Sequence, residues 1–324
     1  MQGMSNVLSL IGNTPLVRLN RVAKDVAAEV VVKLEYLNPS GSIKDRIALR
    51  MIEEAERSGK LRPGMEIVEA STGNTATALA FVGAVKGYRV HLFIPGKAAS
   101  EERLKIMKAY GAEVTYTDSP AAEGGQTPGA GVHGSAVENV PRQRCLELEQ
   151  ASPDKVWWAR QFSNPDNSGA HEHGTGREIL EQTGGRVDAF VAAIGTCGTV
   201  VGVARALRAS NPAVRIAAVE PANSPVIRDG QLIKPIRNPA IAGGLLSEMV
   251  DRKVAQEVIP VSQAEAIEMA HRLCEEEGLF CGLSGGANVV AALRIARELK
   301  AGQRVATVLP DSRDRYLFKE QFTT

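Results

Sequence analysis

The chain has 324 residues, 44% hydrophobic and 23% charged, with 38 Lys and Arg against 37 Asp and Glu for a formal net charge of +1. That balance belongs to a soluble globular chain rather than a disordered one, and the length suits two modest domains or one large α/β unit. A charge this close to zero gives no reason to expect nucleic acid or an anionic membrane surface as a partner, and no apolar run approaches a membrane span.

Residues 1–12 lack a basic stretch followed by an apolar one and a cleavage site, so a cytoplasmic protein is expected. The first predicted strand covers 29–34. Others follow at 65–69, 89–94, 113–116, 189–194, 215–219 and 304–309, each rich in β-branched apolar residues. Amphipathic stretches at 46–57, 75–85, 100–110, 198–209, 263–277 and 287–299 are the predicted helices. Gly87 and Gly111 each stop a helix just before a strand. Such alternation indicates an α/β fold with mostly parallel sheets and helices on both faces. The run 121–141, rich in Gly, Pro, Ala and Ser, reads as loop, and a domain boundary is expected near 150, dividing the chain into 1–150 and 151–324. The cysteines Cys145, Cys197, Cys274 and Cys281 form no Cys-x-x-Cys pair, and His171 and His173 have no second ligand cluster, so neither a disulfide framework nor a metal site is expected.

Four segments carry candidate chemistry. Asn38-Pro39-Ser40-Gly41-Ser42-Ile43-Lys44-Asp45-Arg46 places Lys44 at a helix amino terminus, where positive field favours a neutral, nucleophilic amine suited to Schiff-base chemistry. A surface lysine paired with Asp45 is the plainer explanation of that segment alone. Glu69-Ala70-Ser71-Thr72-Gly73-Asn74-Thr75 leaves a strand and opens a helix, with hydroxyls and backbone N–H groups able to hold a carboxylate or phosphate; an ordinary helix cap explains it equally. Gly195-Thr196-Cys197-Gly198-Thr199 has glycines and hydroxyls for a phosphate but lacks the spacing of a dinucleotide loop. Cys281-Gly282-Leu283-Ser284-Gly285-Gly286-Ala287 reads as a tight turn into a helix, with Ser284 able to hydrogen-bond a heteroaromatic nitrogen. Together, a lysine, a carboxylate loop, a phosphate cup and a neutral serine point to pyridoxal 5′-phosphate.

With these motifs in order, the chain resembles the cysteine synthases (O-acetylserine sulfhydrylases) and the related cystathionine β-synthases. The likeness also runs through Ile11-Gly12-Asn13-Thr14-Pro15, Gln161-Phe162-Ser163-Asn164-Pro165-Asp166-Asn167, Leu309-Pro310-Asp311-Ser312 and Arg315-Tyr316-Leu317. Gly278-Leu279-Phe280-Cys281-Gly282 is similar to the bacterial B-type versions. The resemblance implies a fold-type II pyridoxal-phosphate enzyme of two three-layer αβα domains, strands within 14–36 joining the second sheet.

Its site residues follow from the same resemblance. Lys44 would bond the cofactor and later move the Cα proton; Asn74 would meet the ring oxygen; Gly195, Thr196, Cys197, Gly198 and Thr199 would hold the phosphate; Ser284 would face the ring nitrogen. Ser71, Thr72, Gly73, Thr75 and Gln161 would bind the amino-acid carboxylate. The implied reaction makes L-cysteine from O-acetyl-L-serine and sulfide through an enzyme-bound α-aminoacrylate. A serine rather than an acid at the ring nitrogen makes a milder electron sink, suited to expelling a good leaving group. The implied partners are a second copy of the chain and a serine acetyltransferase tail, and the implied closing segment lies within 86–127.

The chain departs from the family pattern in four places. Ser71 and Thr72 stand in swapped order, Cys197 replaces a usual Gly or Thr, 121–144 matches no family segment, and 240–244 matches the entrance glycine motif loosely. Arg228 and Arg237 read as surface ion pairs. O-phosphoserine or thiosulfate as substrates, condensation of serine with homocysteine, and a non-catalytic binding paralogue stay open as alternatives. A dehydratase is disfavoured, because its Ser-Gly-Asn-His loop is missing.

Overall fold

The computed structural model describes residues 6–96, 100–117, 136–228, 230–233 and 244–317. The elements in chain order are β1 (Leu16–Arg18), β2 (Glu29–Leu34), α1 (Lys44–Arg57), β3 (Glu66–Ala70), α2 (Asn74–Lys86), β4 (Arg89–Pro95), α3 (Glu101–Ala109), β5 (Glu113–Thr117), α4 (Ala136–Ala151) and β6 (Val156–Trp158). They continue with α5 (Pro165–Ala170), a π-helical stretch (His171–Gly176), α6 (Arg177–Thr183), β7 (Ala189–Ala193), α7 (Gly198–Ser210), β8 (Arg215–Pro221), a small hairpin of β9 (Ile227–Arg228) and β10 (Gln231–Leu232), α8 (Gly244–Asp251), β11 (Glu257–Val261), α9 (Gln263–Glu277), α10 (Leu283–Ala296) and β12 (Arg304–Leu309).

Two sheets result. One has the order β1-β2-β12-β7-β8-β11, parallel except for the edge strand β1; the other has the order β5-β4-β3-β6 and is parallel throughout. Their strands read as unbroken apolar runs because both faces are covered. In the larger sheet, Val30, Val32, Val191, Val219, Val305 and Leu309 face α9 and α10, while Val31, Phe190, Ile216 and Val308 face α7 and α8. In the smaller sheet, Ile67, Leu92 and Ile94 pack on α1 and α2, and Val68, Phe93 and Trp158 pack on Cys145 of α4. Each sheet draws strands from both sides of position 150: β1 and β2 pair into the larger, and β6 returns to the smaller.

The strand orders fix where ligands enter. Progress β3→β4→β5 moves one way from β3, and β6 lies on its other side; likewise β7→β8→β11 moves one way, and β12 lies on the other. At such reversals the loops leaving the strand carboxyl ends diverge and open a crevice. The loops after β3 and β7 hold two of the four candidate segments, and Gln161 and Asp311 follow β6 and β12.

Two expectations are corrected. The glycine run 282–286 is not a turn before a helix: α10 begins at Leu283, with Gly282 as its cap. A Cβ on Gly286 would lie 2.0 Å from the Ala266 carbonyl oxygen, so the glycine serves close packing of α10 on α9. The loop expected over 121–141 also ends early, because α4 starts at Ala136 and carries Pro141 within it. The rest of that run, 121–135, lies outside the described residues, as do Arg237 and the stretch 234–243.

Candidate active site

Lys44 is the first residue of α1, and two contacts seat it at the end of the larger sheet. Ile43 N–H donates to Pro310 O at 2.8 Å, and Ser42 bridges to Asp311. Asp45 does not pair with Lys44. It is buried, accepts the Ser40 N–H at 2.6 Å and also the Ser40 hydroxyl, and burial raises its carboxyl to about 6 despite those bonds. The surface ion-pair explanation of this segment therefore fails.

No described residue hydrogen-bonds the Lys44 amine. Burial pulls it down to about 8, against the opposing effects of Asp311 and Cys197. Lys44 as a whole residue is half-buried. A neutral fraction of about one tenth at pH 7, far above that of an ordinary lysine, makes it a usable nucleophile and base.

Asp311 is a residue of this crevice that the segment-by-segment reading missed. Its Oδ2 accepts from Asn74 Nδ2 at 2.6 Å and from the Tyr316 hydroxyl at 2.7 Å, while its buried Oδ1 has no partner. A Cβ on Gly282 would sit 2.3 Å from that Oδ1. Asn74 is held at both ends, since its Oδ1 accepts from Arg315 NH1 at 2.9 Å, and its second amide hydrogen stays available. The signal for Asp311 was an acid two residues after the last buried strand; its partner Asn74 lies too far away in sequence for spacing to reveal.

The cup after β7 is built by an unusual backbone. Cys197 caps α7 in the left-handed region at φ 68, which turns the chain sharply into the helix. Its side chain packs in the core with Ile43 and Val200, and burial lifts the thiol to about 12, so it stays a neutral thiol. Thr196 Oγ1 accepts from Asn167 Nδ2 at 2.9 Å, and the same amide group donates to Gln161 O at 2.6 Å. Asn167 Oδ1 is buried without a partner and lies against Gly198. Thr199 Oγ1 lies 3.3 Å from His171 Nε2, whose Nδ1 is 3.0 Å from Thr175 Oγ1. Gly195 is exposed at the mouth.

His171 is fully buried, and burial, with Lys44 and Arg46 adding, holds its imidazole well below the ordinary value. Folded protein keeps it neutral while unfolded protein protonates it near pH 6.5, so stability falls as pH drops below that value. The expected contribution is a slope of about 1.4 kcal/mol per pH unit from this one group. Urea unfolding between pH 4.5 and 6.5 checks it. His171→Gln should flatten the profile, and an unchanged slope would remove His171 as its source.

The residues expected at the substrate carboxylate line the loop after β3. Ser71, Thr72 and Gly73 are half-buried, and Ser71 Oγ accepts the Gly73 N–H at 3.4 Å. Thr75 and Gln161 are buried and joined, the threonine hydroxyl donating to Gln161 Oε1 at 2.6 Å. Beneath them the buried Glu69 accepts from Ala70 N at 2.8 Å, Gln161 N at 2.9 Å and Trp158 Nε1 at 3.1 Å. Ser284, in the first turn of α10, is half-buried, and no described residue hydrogen-bonds its hydroxyl.

This donor set fits pyridoxal phosphate. A helix start with two threonine hydroxyls suits a phosphate, an unbonded amine of lowered pKa suits an aldehyde, and a neutral hydroxyl suits a pyridine nitrogen. The orphaned Asn167 and Asp311 oxygens face the two glycine approaches, at Gly198 and Gly282, that such a cradle needs.

The chain matches the family described as pyridoxal-phosphate dependent enzyme over residues 7–311. It is 41% identical over 315 residues to a cysteine synthase of Staphylococcus aureus strain N315, covering 97% of this chain and 96% of that protein. Its structure is similar to a cysteine synthase from Entamoeba histolytica, with a TM-score of 0.85 and 35% identity over 100% of this chain and 92% of that one. It is also similar to an O-acetylserine dependent cystathionine β-synthase from Helicobacter pylori, with a TM-score of 0.84 and 31% identity over 99% of this chain and 100% of that one.

Proposed function

Because the chain belongs to the pyridoxal-phosphate dependent enzymes, and among them to the cysteine synthases, we propose that it makes L-cysteine from O-acetyl-L-serine and sulfide by β-replacement. The observation that carries this reading is the Lys44 amine, lowered to about 8 and without a hydrogen bond, beside the start of α7 and the carboxyl end of β12. Pyridoxal phosphate, when bound, supplies an electron sink for charge developing at the substrate Cα.

The chain's own residues do the rest. Lys44 anchors the cofactor and moves the Cα proton. The N–H groups of the Gly195–Thr199 cup and the hydroxyls of Thr196 and Thr199 hold phosphate oxygens, Ser284 meets the ring nitrogen, and the spare amide hydrogen of Asn74 meets the ring oxygen. Ser71, Thr72, Gly73 and Thr75, with Gln161 behind them, orient the amino-acid carboxylate. Asp311 aims Asn74 and sits beside the lysine, where its charge stabilises the ammonium after the proton has moved.

The absorbance spectrum of the purified protein, titrated with O-acetyl-L-serine and then sulfide, tests the proposal alongside a direct assay for cysteine. Expected are a visible cofactor band, its displacement by O-acetyl-L-serine, its return with sulfide, and stoichiometric cysteine. A band unmoved by O-acetyl-L-serine would overturn the reading. The same titration with homocysteine in place of sulfide, and with O-phosphoserine or thiosulfate, ranks the alternatives; the similarity to the Helicobacter protein supports including homocysteine.

Among the described residues no helix is long and apolar enough to cross a membrane, which is compatible with a cytoplasmic site of action. Family membership supports a homodimer, and sedimentation checks it. It also supports docking of a serine acetyltransferase tail at the active site, which a tail peptide displacing O-acetyl-L-serine would reveal.

A further inference from the structure

The π-helical stretch His171–Gly176 and the amino-terminal half of α7 pack backbone to backbone, with a glycine on each side. A Cβ on Gly202 would lie 2.7 Å from His171 Cβ and 2.8 Å from Glu172 N, and one on Gly176 would lie 3.2 Å from Val203 Cα. Turns of the π-helical kind recur at functional sites. Here the turn sets His171 behind the cup, because Thr199 stands three residues before Gly202 on the same face of α7.

His171 and Thr175 are both fully buried. The imidazole meets two hydroxyls, Thr175 Oγ1 at 3.0 Å from Nδ1 and Thr199 Oγ1 at 3.3 Å from Nε2. Burial keeps the ring neutral, so one nitrogen carries a hydrogen and the other accepts one. With the hydrogen on Nδ1, the ring would donate to Thr175 and take the hydroxyl hydrogen of Thr199. The Thr175 hydrogen would then be buried with no acceptor among the described residues, which is unfavourable, and Thr199 would offer the cup only lone pairs. With the hydrogen on Nε2, Thr175 donates to Nδ1 and Nε2 donates to Thr199, whose own hydrogen is left for an anion.

Thr196, the other hydroxyl of the cup, is arranged in the same sense. Its Oγ1 accepts from Asn167 Nδ2 at 2.9 Å and from Gly198 N at 3.4 Å, and no described residue takes its hydrogen. The direction of the Asn167 bond is fixed, since the same amide nitrogen donates to the Gln161 carbonyl at 2.6 Å.

We infer that His171 is a positioning residue: with its hydrogen held on Nε2 by Thr175, it makes the Thr199 hydroxyl a committed donor to the cofactor's phosphate. It acts through Thr199 and needs no contact of its own with the cofactor. This rests on the phosphate seat proposed above.

Two readouts test it. Nitrogen NMR of holoenzyme carrying isotope-labelled histidine, with the His171 signals identified by their loss in His171→Gln, should show a hydrogen on Nε2 and a bare Nδ1. A hydrogen on Nδ1 would overturn the inference. The second readout is absorbance titration of the cofactor-free protein with pyridoxal phosphate and with pyridoxal, which lacks the phosphate. His171→Asn, whose shorter amide cannot stand where Nε2 does, should bind pyridoxal phosphate about tenfold more weakly, the scale of one hydrogen bond to a charged group, and pyridoxal as wild type does. His171→Gln, whose amide nitrogen reaches that place, should stay within about threefold of wild type for both. Adding His171→Asn to Thr199→Val should weaken binding of the phosphate form no further than Thr199→Val alone. Equal losses for the two ligands, as general damage to the fold would give, or losses that multiply in the double variant, would overturn the inference. Should His171→Asn fail to fold, the position of the hydrogen in wild type decides alone. Wild type that binds pyridoxal as tightly as its phosphate would remove the cup itself, whereas a cup that prefers the phosphate with the hydrogen on Nδ1 would remove only the role of His171.

Discussion

Lys44→Met protein is expected to form no cysteine above background, a loss of at least about 10³-fold for a residue acting as both nucleophile and base. After borohydride reduction it should carry no covalently attached pyridoxyl group. The same variant, cofactor-free, should unfold at higher temperature than cofactor-free wild type. Burial lowers the amine from its ordinary 10.5 to about 8, so the folded protein disfavours the charged form. That corresponds to at most about 3 kcal/mol. The folded value lies below the unfolded one, so the penalty is fully present below pH 8 and fades as pH rises from 8 to 10.5. Calorimetry of both cofactor-free proteins at pH 7 and at pH 10 checks the sign. An advantage for Lys44→Met that grows with pH would contradict this account of the site.

Gly198→Ala should cost the protein its cofactor. A Cβ there would lie 1.9 Å from Asn167 Oδ1 and 2.6 Å from its Cγ. Asn167 cannot yield: it is fully buried and tied to Gln161 O and Thr196 Oγ1. Either α7 moves back from the cup or the Asn167 amide breaks both bonds. We expect affinity for pyridoxal phosphate to fall about 100-fold and stability by about 1–3 kcal/mol, the usual penalty of overpacking. Gly169→Ala makes the control, since nothing lies within 4 Å of its Cβ position in α5 and alanine suits a helix. Equal cofactor affinity in the Gly198 and Gly169 variants would show that the close approach at Gly198 does not shape the cup.

The sheets were legible in the sequence because parallel strands covered on both faces must be apolar at every position. Residues 29–34 and 304–309 appear in the structure with the bounds expected, and the others shift by one or two residues at their ends. Short elements escaped. β1 and β6 have three residues each, too few for a periodic signal, and β11 is only partly buried. Gly286 of α10 misled because the partner that demands it, the Ala266 carbonyl, lies on α9 and leaves no local trace. In the site, Lys44, the β3 loop and the cup were recognisable as loops between a buried strand and a helix. What joins them was not. Asp311 binds Asn74 across 237 positions, and Glu69 reaches Gln161 across 92, spans over which a single sequence carries no pairing signal.

The two crevices at the strand reversals belong to different sheets: the loops proposed for the phosphate and the ring nitrogen leave or flank the larger one, and those proposed for the amino-acid carboxylate leave the smaller. Mutation can therefore revise what the protein accepts without disturbing what it does to it. The interchange of Ser71 and Thr72 is an alteration on the acceptance side, whereas Cys197 is one on the chemistry side. The Asn74–Asp311 hydrogen bond, the Asn167 amide that ties Gln161 to Thr196, and the Lys44 loop must satisfy both halves at once, and at those positions inherited variation has little room to accumulate.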